Sequence, residues 1–95
     1  MIHTDHRRPT HHRRTASRVF SGEAVVISPA ENMVRMFNPI GSRIWELSDG
    51  SRTIDDIALL LSQEFDVTLE HAHQSTADFI DELAAKGLIS FEESA

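Results

Sequence analysis

Apolar positions change rhythm twice along this chain of 95 residues. Residues 1–17, "MIHTDHRRPTHHRRTAS", carry almost none. From Val19 to Phe37 they gather into short β-branched runs, and from Ile40 to Leu88 they recur at intervals of three and four. The first regime offers too little apolar surface to offset the entropy of ordering, so the sequence predicts a disordered basic arm over residues 1–17 and a folded domain over 18–95. In the second regime "EAVVIS" and "MVRMF" read as antiparallel partners around "PAEN", where Pro29 suits an early turn position and Asn32 tolerates positive φ. A short strand near Arg18–Ser21 precedes them. Met33 and Phe37 point one way and Val34 and Met36 the other. Both faces carry apolar groups, which predicts a cover over part of each.

The third regime predicts three helices. Asn38 is an N-cap with Pro39 at the first helical position, and Ile40, Ile44 and Leu47 share a face with Trp45 beside it. "SDG" ends that helix at Gly50. Thr53 and Asp56 form a capping box, followed by Ile54, Ile57, Ala58, Leu61 and Phe65 on one face. The last helix starts after Thr68 and runs to about Lys86, with Gly87 as its stop. Its main stripe is Leu69, Ala72, Thr76, Phe79 and Leu83. A thinner stripe of His73, Ala77, Ile80 and Ala84 runs beside it. "LISF" closes the domain as an extended segment. The expected fold is α+β: an antiparallel β-hairpin or three-stranded sheet followed by three helices, in the manner of a small winged helix-turn-helix domain. Trp45 and Phe65 are expected in the core.

Charge divides the molecule. Residues 1–18 hold Arg7, Arg8, Arg13, Arg14 and Arg18 against Asp5, a balance of +4, while the rest carries −10. A flexible basic segment suits RNA, DNA or an acidic protein, but a solvated tail is the simpler reading. His3, His6, His11 and His12 would lie in that segment, which offers a metal no preset geometry. The chain has no cysteine, hence no disulfide and no thiolate. It shows no signal-peptide core and no run long enough to span a membrane, so a cytoplasmic protein is the simplest expectation.

Catalytic chemistry is missing from the pattern. The serines sit at caps and turns. His71 and His73, two apart, point to different sides of their helix. Asp78, Asp81 and Glu82 form a charged face with no cleft to tune them. The four glycines make no phosphate loop. An enzyme is disfavoured, and no cofactor or metal is expected. A winged-helix DNA-binding regulator is the alternative, but the predicted second and third helices are acidic and repel phosphate, which leaves only the basic arm to bind. Peptide capture by an exposed strand edge, "MVRMF" beside the thin helical stripe, is the other binding function open to the sequence.

The stretches "FNPIGSRIWELSDGSRTIDDIALLLSQEFDV" and "FIDELAAKGLI" resemble the PqqD family, the small leader-peptide-binding domains also called RiPP recognition elements. The matching positions are Asn38, Gly41, Ile44, Trp45, Asp49, Gly50, Thr53, Phe79, Ile80, Leu83, Gly87, Leu88 and Ile89, within roughly residues 19–91. Ser75 stands where the family often has an acidic residue, and the basic arm lies outside its pattern. The resemblance implies a non-catalytic chaperone that binds the leader of a ribosomally synthesised precursor peptide and presents it to a maturation enzyme, such as a radical SAM enzyme or a leader protease. It implies that the peptide lies as an added strand along Val34, Arg35, Met36 and Phe37. On the third helix, spacing selects His73, Ala77, Ile80, Asp81 and Ala84. Ile80→Asp would then weaken binding and leave most of the fold. No membrane partner is expected, nucleic acid is disfavoured, and an open sheet edge leaves a homodimer open.

Overall fold

Local signals set the helices of the computed structural model, which describes residues 5–28 and 32–92. α1 (Pro39–Leu47) is capped by Asn38, whose Oδ1 accepts from the Gly41 N–H at 2.8 Å. α2 (Ile54–Glu64) opens on a reciprocal box: the Asp56 N–H donates to Thr53 Oγ1, and the Thr53 N–H donates to Asp56 Oδ2, both at 3.1 Å. α3 (Leu69–Ala85) starts at Thr68, whose Oγ1 accepts from the His71 N–H. The turn after α3 uses Gly87 at φ +75°, a conformation that costs a glycine little. Three helices after N-terminal antiparallel strands agree with the α+β expectation, and no described helix is long and apolar enough to cross a membrane.

The strands divide into two sheets. β2 (Ala16–Phe20), β3 (Glu23–Ser28) and β4 (Met33–Met36) form an antiparallel meander in that order. Asn32 has the expected positive φ, +53°, whereas the rest of the predicted turn, residues 29–31, lies outside the described residues. Residues 1–4 and 93–95 lie outside them too.

The N-terminal segment corrects the expectation of a disordered arm. β1 (Arg8–His11) pairs antiparallel with β5 (Ile89–Glu92), Arg8 opposite Glu92 and His11 opposite Ile89. This pairing is main-chain chemistry and needs no apolar side chains, which is why the composition hid it. The polar residues also bury their flat or aliphatic parts. Pro9 is buried, the Arg7 guanidinium lies 5.0 Å from the Phe91 ring centroid, and the His11 ring stacks on Trp45 at 3.7 Å.

His11 supplies a pH handle. Its Nε2 lies 2.7 Å from the Trp45 carbonyl oxygen, which can only accept, so Nε2 carries the proton. Burial holds the ring's pKa below its ordinary value of 6.5. Below about pH 6.5 the unfolded chain binds a proton that native His11 refuses, so stability falls with pH until the folded pKa is passed. His11→Phe keeps a stacked ring and is expected to flatten this part of the profile. Urea unfolding between pH 5 and 7.5 measures it.

The core lies between the helices and the inner face of the meander. It holds Ala24 and Val26 of β3, Ile44, Trp45 and Leu47 of α1, Ile54, Ile57, Ala58 and Leu61 of α2, and Ala72, Ile80 and Leu83 of α3. Phe65 borders it, half-buried. Ile40 and Leu69, expected on apolar faces, are exposed. Among the described residues only one face of the meander is covered. Val25, Ile27, Val34 and Met36 share the outer face, and all but half-buried Val25 are exposed.

Candidate functional site

Every strand of the meander has two sides for hydrogen bonding, and the outer side of β4 meets no strand among the described residues. The Phe37 N–H donates to the Ala24 carbonyl at 3.0 Å, which makes 24 and 37 a hydrogen-bonded pair. In an antiparallel ladder such pairs alternate with non-bonded ones. With Val26 opposite Arg35 and Val25 opposite Met36, the main chain of Arg35 turns towards β3. The N–H and C=O groups of Val34 and Met36 therefore turn outward. Their side chains are among the most open apolar ones in the molecule, 64% and 71% exposed.

Behind this edge lies an apolar groove of about 420 Å³. Met36 and Phe37 form its β4 side, Ile40, Gly41 and Ile44 its α1 side, and Ser75 and Phe79 its α3 side. The aromatic walls brace one another. Phe37 meets Phe79 edge-to-face at 5.1 Å and 81°, and meets Trp45 at 5.8 Å and 62°. Gly41 permits this closeness, since a Cβ there would stand 3.1 Å from Phe79 Cζ. Buried Ser42 fixes the strand end: its Oγ accepts from the Ala24 N–H at 2.6 Å and donates to the Phe37 carbonyl at 3.1 Å. A smaller hollow of about 40 Å³ continues past Ile40 and Ser75 towards Phe65, Val67 and His71. None of the residues lining the main groove is charged, so it suits an apolar side chain.

The sequence-selected residues do not form one site. Val34, Arg35 and Met36 lie on β4 with Phe37 just after it, and Met36 and Phe37 also line the groove. The helix positions lie elsewhere. Ile80 is fully buried in the core. His73 Nε2 is 2.9 Å from Asp55 Oδ1 on α2. Asp81 pairs with Arg7 at 2.9 Å, and the Asp5 N–H donates to Asp55 Oδ2 at 2.8 Å. Ala77 and Ala84 are half-buried on the same flank of α3. That flank faces α2 and the N-terminal segment, whereas the flank beside β4 carries Ser75 and Phe79. Spacing could not decide between two flanks that both carry small or apolar residues. Gly41 was the missed signal: a glycine inside a helix costs about 1 kcal/mol and marks a close approach.

Comparison with known proteins gives a consistent picture. The family model described as coenzyme PQQ synthesis protein D (PqqD) matches residues 23–89. The fold is similar to that of TbiB1 in complex with the TbiA(beta) leader peptide, with a TM-score of 0.77 and 23% identity over 90% of this chain and 98% of that one. It is also similar to lasso peptide synthetase B1 complexed with the leader peptide, with a TM-score of 0.78 and 14% identity over 87% and 98%. No curated protein matches the sequence.

Proposed function

The chain belongs to the PqqD family, and from that premise we propose that it is a non-catalytic RiPP recognition element that takes the leader of a precursor peptide as an added strand on β4 and holds it for a modifying enzyme. The observation that carries this reading is the outward pair of main-chain groups at Val34 and Met36, set beside an uncharged groove. Main-chain bonds to the edge supply affinity, and a side chain in the groove supplies selection. The two similar structures support the ligand class, since each holds a leader peptide. The domain acts by tethering: a bound leader keeps the rest of the precursor at high effective concentration near an enzyme that binds the same domain.

Substitution of the groove wall separates binding from folding. Ile40 is 41% exposed, so Ile40→Asp leaves the core untouched. It places a charge where the peptide's apolar side chain must be desolvated, and a loss of roughly 10- to 100-fold in leader affinity is expected. Fluorescence polarisation with a labelled leader peptide that the wild-type chain binds measures it. Unchanged affinity in the folded variant would remove the groove from the site.

A further inference from the structure

We propose that the bound strand carries an acidic residue two positions after its apolar anchor, and that Arg35 reads it. This rests on strand addition at β4. The register follows from the outward groups already described. An antiparallel peptide that exchanges hydrogen bonds with both Val34 and Met36 places one residue between those two contacts, opposite Arg35. That position is a non-hydrogen-bonded pair, in which facing Cα atoms lie about 4.5 Å apart and side chains approach most closely. The peptide residue opposite Arg35 projects to the inner face of the sheet, as Arg35 does. The residue two before it stands opposite Phe37, at the mouth of the groove. The residues between and after them face outward over Met36 and Val34. The strand therefore reads, from its N-terminus, apolar anchor, outward residue, acid, outward residue.

Charge supports the acid. Arg35 is the charged residue of β4, and the groove beside it is lined by uncharged residues. Its side chain is half-buried, with Nη2 4.0 Å from Met33 Sδ. A guanidinium has five N–H donors in a planar fork, so it serves a further carboxylate alongside existing contacts. The same register also disfavours self-pairing. Two copies joined edge to edge through Val34 and Met36 would set Arg35 against its own counterpart, and directly opposed like charges destabilise a strand pair. An acid at that position turns the repulsion into attraction, so the edge discriminates between a second copy and its peptide.

A displayed library of random twelve-residue peptides tests this without knowledge of the natural precursor. Selection is run on the full chain and on the Arg35→Glu and Arg35→Gln variants, each checked for native circular dichroism. The wild-type chain is expected to enrich an apolar residue followed two positions later by Asp or Glu. Arg35→Glu is expected to enrich Lys or Arg there and to bind the best wild-type peptide about tenfold more weakly. Arg35→Gln, nearly isosteric, is expected to lose the charge preference, and it carries the test should the charge reversal fail to fold. Enriched peptides with no charge bias, alike on all three chains, would overturn the role of Arg35 and leave strand addition standing. An acid before the anchor would overturn the antiparallel register. Failure of any folded chain to enrich peptides would overturn the peptide-binding reading itself.

Discussion

Met36→Pro weakens leader binding by about 100-fold and leaves the domain folded. Val25 and Met36 form a non-hydrogen-bonded pair, so the Met36 N–H turns away from β3 and makes no bond within the meander. Proline at this position therefore costs the domain no ladder bond. It does remove the outward donor, and its ring occupies the space that a peptide carbonyl must enter. A cost of about 3 kcal/mol for this combination corresponds to roughly two orders of magnitude in Kd. Met36→Ala, which keeps the amide, is expected to lose less than tenfold. Fluorescence polarisation with the labelled leader gives the affinities, and circular dichroism confirms the fold. Equal affinities for the proline and alanine variants would show that this amide receives no peptide carbonyl.

Ile80→Asp unfolds the protein. Ile80 is fully buried in the core that α3 shares with α1, α2 and β3, and a carboxyl group there has neither water nor a partner. Such a substitution belongs to the small class that costs 4–5 kcal/mol or more. Small domains have roughly 5–15 kcal/mol in total, so most of the stability is lost. Thermal and urea melts followed by far-UV circular dichroism measure the effect. A cooperative melt close to wild type would show that Ile80 lines a surface. The sequence alone suggested that surface role, and the burial of Ile80 reverses it.

That reversal shows where legibility stopped. Asn38 with Pro39, Thr53 with Asp56, Thr68 and Gly87 were readable because capping is settled within four residues. β1 was not, because its partner lies at the far end of the chain: Arg8 stands opposite Glu92, and nothing local to "RPTH" announces it. The orientation of α3 was not legible either, because it is set by tertiary packing on α2. Asp5 and Arg7, just before β1, meet Asp55 and Asp81, so the flank bearing His73 and Asp81 faces α2 and that segment, while Phe79 walls the groove. The faces of β4 were legible at residue level because alternation in "MVRMF" assigns them without knowledge of the tertiary fold. The openness of its outer face was not, since Val34, Met36 and Ile27 look like residues awaiting a cover.

Strand addition itself is tested most directly by amide hydrogen exchange, read residue by residue by NMR, on the chain with and without a leader peptide that it binds. The account predicts that the amides of Val34 and Met36 become protected when the leader binds, while those of Arg35 and Phe37, already turned towards β3, change little. Leader binding with Val34 and Met36 still exchanging as in the free chain would contradict it, and would place the peptide on another surface of the domain.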